Sequence, residues 1–214
     1  MKDTITTLVF DLDGTLVKSH KNIYDATVHS FNQLKVKFNL PEDEFNKKIG
    51  HHFEDIFNDF GIVVDDFEEF INVYKKAYFE YIDSSELYDN VEETLDQLKA
   101  REFRIALLTT KGQDQADRII NHFNLGHNFD YIMGRRPGIA HKPAPDMLLK
   151  ICEELHSDPK NTLMIGDTEL DILCGKNAGS KTCGVTYGYR TKEEVKNLNP
   201  DFVIDELSEL LKFL

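Results

Sequence analysis

Positive charge is what this 214-residue chain is short of: 25 Lys and Arg stand against 38 Asp and Glu, a formal net charge of -13. No basic stripe offsets the deficit, which argues against an electrostatic grip on nucleic acid. An anionic ligand would meet an unfavourable field unless a metal cation or local Lys and Arg residues compensate. Long apolar runs are missing too, and no segment approaches the roughly 20 apolar residues of a membrane span. The head of the chain, "MKDTITTLVF", carries Asp3 and too short an apolar stretch for a signal peptide. Cysteine is scarce: Cys152, Cys174 and Cys183 form no CxxC and no metal-type spacing, so they are expected to be small buried hydrophobes in a reducing compartment. Low-complexity tracts and internal repeats are absent. The expectation is a cytoplasmic globular protein, partnered by neither nucleic acid nor membrane; a monomer or homodimer is expected. Its length suits one well-buried domain or a core domain with a small insert.

Against that background, short apolar runs stand out: Ile5 to Phe10, Arg104 to Thr109, Thr162 to Gly166 and Lys181 to Tyr187. Asp130 to Gly134 and Asp201 to Ile204 are weaker strand candidates. Helical periodicity fills the gaps at Val91 to Lys99, Gln113 to Phe123, Asp146 to Leu155, Asp171 to Ala178 and Leu207 to Leu214. This alternation predicts an α/β fold, a Rossmann-like parallel sheet covered on both faces. Residues 19–85 interrupt it. "IYDATVHSFNQLKVKF", "PEDEFNKKIG", "HFEDIFNDFG" and "DDFEEFINVYKKAYFEYI" all have helical spacing with no strand between them. Aromatic residues at that spacing are expected to be core. The predicted organisation is therefore a core of residues 1–18 and 86–214, with an α-helical insert over 19–85.

In an open parallel sheet, ligands bind beyond the carboxyl ends of the strands. Asp11 ends the first strand in "LVFDLDGTLVKS", Asp13 follows one residue later, Thr109 ends the second strand, and Asp167 follows "TLMIG". In "GDTELD", Asp171 stands four residues after Asp167, one helical turn on and facing back to the same edge. Gathering these acids is unfavourable without a cation: at an effective dielectric near 20, like charges 4 Å apart repel by about 4 kcal/mol. An oxygen-only ligand set favours Mg²⁺, which commonly shares its shell with substrate phosphate oxygens. Thr109 offers a hydroxyl and adjacent amides for such oxygens. Lys142, in "HKPAPD", offers a compact positive charge next to the stiff Pro143.

"DLDGTL", "LLTTK", "HKPAPD" and "GDTELD", in this order, resemble the four motifs of the haloacid dehalogenase (HAD) superfamily. The resemblance spans nearly the whole chain. It identifies the helical insert with a C1-type cap, and "GVTYGYR" near the end is most similar to the phosphoglycolate phosphatase branch. The resemblance implies a Mg²⁺-dependent phosphatase acting on a small phosphorylated metabolite such as 2-phosphoglycolate. In that scheme Asp11 is the nucleophile, carrying an aspartyl-phosphate, and Asp13 the general acid and base. Mg²⁺ is held by Asp11, the Asp13 backbone carbonyl and Asp167, with Asp171 in support; Thr109, Thr110 and Lys142 bind the phosphoryl group. A sugar phosphomutase similar to β-phosphoglucomutase shares these residues and is the alternative, followed by a non-catalytic phosphate-binding module. The presence of Asp13 favours phosphate chemistry over dehalogenation.

The sequence departs from its relatives' pattern at Lys18, where Asp is frequent, at Thr110, where Asn is frequent, and at Arg135-Arg136, where Gly-Asp is more usual. Leaving-group recognition in this family is the work of the cap. Here "KKIGHHFED" is the candidate loop, and Lys48, His51 and His52 are the candidate specificity residues. No acid or Cys completes a zinc site around the two histidines.

Overall fold

A computed structural model describes residues 4–214; Asp3 lies outside the described residues. The first strand, β1 (Thr7–Phe10), is buried along its whole length. Short strands β2 (Val17–Lys18) and β3 (Glu86–Leu87) form a two-stranded ladder. Between them run α1 (His20–Gln33), α2 (Glu42–Asn46), α3 (Phe53–Asp59) and α4 (Phe67–Glu80). The chain continues through α5 (Val91–Ala100), β4 (Arg104–Gly112), α6 (Gln113–His122), β5 (Tyr131–Arg135) and α7 (Asp146–Glu154). It closes with β6 (Thr162–Gly166), α8 (Glu169–Ala178), β7 (Lys181–Val185), α9 (Lys192–Asn197), β8 (Phe202–Ile204) and α10 (Leu210–Phe213). Two compact units result: one runs up to Leu16 and resumes over Leu87–Leu214, and the other is Val17–Glu86.

The first unit is an α/β fold with a six-stranded sheet in the order β5-β4-β1-β6-β7-β8, every neighbour parallel. Parallel strands joined by helical crossovers are covered on both faces, which is why Leu8, Val9 and Phe10 are all fully buried. Val9, Ala106, Leu108, Met133 and Met164 from four strands pack with Met147, Leu148 and Ile151 of α7. The chain builds outward from β1 through β4 and β5, then returns to the other side of β1 with β6. That reversal creates a topological switch point at the carboxyl end of β1, where such sheets bind ligands. The three cysteines are free and buried, with the Cys174 thiol pushed up to about 12 chiefly by burial.

The Val17–Glu86 unit is helical with an aromatic core. Phe31 lies 4.9 Å from Phe57 and 5.4 Å from Phe70, centroid to centroid, and Phe53 meets Tyr74 edge-on at 4.7 Å. The aromatic periodicity is thus spent on packing. Helix α1 stops at Gln33, short of the predicted Phe38, because Lys35 turns left-handed (φ 55°) and the Val36 amide bonds back to the Phe31 carbonyl. Among the described residues, no helix is long and apolar enough to cross a membrane.

Candidate active site

Asp11 is carried directly off β1, its amide donating to the Ile165 carbonyl of β6 at 2.9 Å. The chain then turns tightly: the Leu16 amide bonds to the Leu12 carbonyl, and Gly14 adopts φ +85°. A Cβ at Gly14 would strike the Asp167 carboxylate, so the glycine serves both the turn and the close approach of β6. Asp167 follows β6, Thr109 lies inside β4, and Lys142 comes from the segment between β5 and α7. Side chains from four separate stretches therefore meet at the switch point.

Lys142 is the hub. Its Nζ donates at 2.5 Å to Asp11 Oδ1, at 2.5 Å to Asp171 Oδ1 and at 3.2 Å to the Leu108 carbonyl, and its side chain is only 3% exposed. Burial pulls the ammonium pKa down, but Asp11 and Asp171 outweigh it and hold it above the ordinary lysine value. Asp171 is fully engaged: its Oδ2 also accepts from the Thr168 amide (3.0 Å) and hydroxyl (2.7 Å), forming the capping box that starts α8. Helix α8 accordingly begins at Glu169, two residues before the predicted start.

Among the described residues, Asp11, Asp167 and Asp171 place buried carboxylate oxygens within 4.8 Å of one another. Burial raises the Asp11 pKa well above its ordinary value, with Asp171 and Asp167 adding to the rise and Lys142 opposing it. Asp167 is pushed up to about 7, first by burial and then by Asp171, against the Tyr189 amide, Arg190 and Lys142. Three carboxylates share one ammonium, so the cluster is short of positive charge. The all-oxygen donor set and the charge deficit fit a hard divalent cation.

Asp13 is half-buried and lies 3.3 Å from Lys111 Nζ. Thr109 is buried, and its hydroxyl accepts from the Lys111 amide at 3.2 Å, within the stretch of β4 where the register shifts. Lys111 was visible at the end of "LLTTK", yet only the structure pairs it with Asp13. Three further participants escaped the sequence. The Thr15 hydroxyl points to Asp167 Oδ1 at 3.4 Å, the Tyr189 amide donates to Asp167 Oδ2 at 2.7 Å, and Arg190 grips Glu169 with two bonds of 2.8 and 2.9 Å. A backbone amide leaves no mark in a sequence, and an ion pair 21 residues apart has no local signature.

Lys48 belongs to the helical unit and pairs with Asp59 at 2.6 Å; His51 is exposed, and His52 is the residue before α3. Arg136 is structural: it donates to Gln113 Oε1, the Tyr131 hydroxyl and the Ile132 carbonyl, tying the end of β5 to the start of α6. Arg135 and Lys18 are exposed.

Clustered carboxylates, a threonine and two lysines at the switch point of a parallel sheet are groups suited to handling phosphate. Residues 8–185 match the family model for haloacid dehalogenase-like hydrolases, and the chain belongs to that family. It is 33% identical to the pyrophosphatase PpaX of Bacillus mycoides, over 98% of this chain and 97% of that protein. It is 32% identical to a phosphoglycolate phosphatase of Aquifex aeolicus, over 97% and 95% of the two chains. Among solved structures, a haloacid dehalogenase-like hydrolase from Streptococcus pneumoniae superposes with a TM-score of 0.88 at 26% identity, covering 100% of this chain and 99% of that one. The protein is therefore a HAD phosphatase-type hydrolase.

Proposed function

We propose that the protein is a Mg²⁺-dependent phosphatase of small phosphorylated metabolites, working through a phosphoryl group carried on Asp11. The observation that carries this reading is the buried cluster of Asp11, Asp167 and Asp171 around Lys142. Asp11 attacks phosphorus as the bond to the leaving oxygen breaks, and Asp13 gives that oxygen its proton. Asp13 then takes a proton from the water that attacks the aspartyl-phosphate, releasing orthophosphate and restoring Asp11. Thr109, Thr110 and Lys142 orient the phosphoryl group in line. Bound at Asp11, the Asp13 carbonyl and Asp167, Mg²⁺ supplies charge neutralisation for the phosphoryl oxygens and the carboxylates. Asp171 has both oxygens engaged and acts in support.

Lys111 narrows the substrate. Its ammonium stands beside Asp13, hence beside the oxygen that leaves, and favours a leaving group with its own negative charge. Pyrophosphate and 2-phosphoglycolate both carry an anionic group next to the bridging oxygen, which agrees with the names of the two relatives. We assign the Val17–Glu86 unit the role of cap, with Lys48, His51 and His52 as leaving-group selectors. Phosphate release should be screened over several dozen metabolites, with Mg²⁺ and with EDTA. No release, or full release in EDTA, refutes the reading; phosphoryl transfer between sugar positions without net release identifies a mutase. Joint replacement of His51 and His52 by alanine should change the ratio of rates across esters, and an unchanged ratio removes them from specificity.

A further inference from the structure

The segment after β7 passes directly over Asp167. Gly188 lies so close that a Cβ there would strike the Asp167 side chain and the Gly14 carbonyl, and the next amide, Tyr189, donates to Asp167 Oδ2 at 2.7 Å. One residue on, Arg190 makes a two-pronged ion pair with Glu169, the first residue of α8 and second after Asp167. The pair differs from an ordinary surface contact: the Arg190 side chain is 8% exposed, and its planar fork fixes direction as well as distance.

The elements on either side have their own anchors. Upstream, the Thr186 amide donates to the Ile204 carbonyl of β8, continuing the β7–β8 pairing. Downstream, Thr191 and Glu194 close a capping box that starts α9. The Arg190–Glu169 pair is therefore surplus to holding those elements. What it does fix is the stretch between them, residues 188–190, against the first residue of α8, two residues after Asp167.

We propose that the Glu169–Arg190 pair is a positioning device for the divalent cation, clamping the Gly188–Arg190 segment so that the Tyr189 amide holds Asp167 in one orientation for metal binding. The inference rests on the metal reading of the site given above. Arg190 and Glu169 are not among the residues grouped for the cation and act through Asp167. Groups that orient a metal ligand commonly contribute 10–100-fold in metal affinity. As the pair acts at one remove, through an amide, the lower end of that range applies.

Calorimetric titration of the EDTA-stripped protein with MgCl₂, repeated with MnCl₂, tests the clamp. Arg190→Lys, which keeps the charge but loses the fork, and Glu169→Gln should each raise Kd about ten-fold. Thermal melting of the metal-free variants by circular dichroism serves as the fold control. In turnover assays the variants should need proportionally more Mg²⁺ for half-maximal rate, and the KM for substrate measured at saturating Mg²⁺ should match wild type. Variants that melt lower yet bind both ions within two-fold of wild type overturn the clamp and leave a purely structural pair. A wild-type protein that binds neither ion overturns the metal reading and the clamp together. A wild-type protein that binds, with variants that bind equally, overturns the clamp alone.

Discussion

Lys142→Met is the sharpest perturbation of the site. Methionine fills nearly the same volume but removes the ammonium that bridges Asp11 and Asp171 at 2.5 Å each. Three carboxylates with oxygens inside 4.8 Å are then left with no cation among them. Breaking a buried ion pair by removing one partner costs about 3–5 kcal/mol. At about 2–4 °C per kcal/mol for a chain near this size, the metal-free protein should melt roughly 6–20 °C lower. The chain holds no tryptophan, so melting is best followed by far-ultraviolet circular dichroism at pH 7.5 in EDTA. Two further arms identify the cause. Mg²⁺ at about 100 times its Kd returns about 2.7 kcal/mol to any protein that binds it only when folded, and should restore part of the loss. Asp171→Asn added to Lys142→Met removes one carboxylate from the repulsive cluster, so the double variant should melt higher than the sum of the single effects predicts. A metal-free Lys142→Met protein melting within about 2 °C of wild type would refute the reasoning, because a buried hub between two carboxylates cannot be energetically silent.

In the proposed mechanism, replacing Asp11 with Asn removes the nucleophilic carboxylate while keeping shape; phosphate release should fall at least about 10³-fold with melting little changed. Gly188→Ala forces a methyl group into the Asp167 side chain and the Gly14 carbonyl, and overpacking of this kind costs about 1–3 kcal/mol. Its metal-free melting point and its Mg²⁺ affinity, by calorimetry, should both fall. Asp201 gives a pH signature: burial raises its pKa, but bonds from Lys181 and from the Thr182 amide and hydroxyl more than reverse this and hold it below the ordinary value. A lowered carboxylate contributes stability above its unfolded pKa and loses it as pH falls through the folded one. Wild type should therefore exceed Asp201→Asn by about 1 kcal/mol at neutral pH, discounted for solvent exposure, and the gap should close in chemical denaturation below about pH 4.

The sheet was legible because its strands are nearly continuous apolar runs, the mark of burial on both faces. Where the run stops being apolar, the strand boundary was lost. Strand β4 continues past Thr109 through Thr110 and Lys111 to Gly112, which pairs with Arg135 only after a shift of register. Helix α9 was missed: its six residues bury only Val195, although Thr191 and Glu194 spell a capping box in the sequence. The carboxylates of the site were legible by their spacing after strand ends, and Lys142 by its motif. Lys111 as a partner of Asp13, and Arg190 as a partner of Glu169, were not, since pairing across a fold depends on which loops the topology brings together.

The two lysines of the site stand in different electrostatic positions, and the difference bears on how an acidic chain handles an anion. Lys142 is buried and committed to Asp11 and Asp171, so most of its charge is spent inside the cluster. Asp171, in turn, has its second oxygen committed to the start of α8 and cannot turn to a cation without giving up the capping box. The acid that raises the local charge deficit is thus the one least able to bind what relieves it. In the proposed site, Asp11 and Asp167 are the side chains that meet the cation. Lys111 pairs with the less buried Asp13 at the longer distance of 3.3 Å, and is the lysine better able to turn toward a charge on the substrate. Removing Lys142 should therefore harm the metal-free fold itself. Removing Lys111 should act mainly on the ratio of kcat/KM between esters with charged and neutral leaving groups, lowering it about ten-fold, the worth of one charge-assisted hydrogen bond of about 1.4 kcal/mol. An unchanged ratio in Lys111→Met would mean that leaving-group charge is recognised by residues other than Lys111.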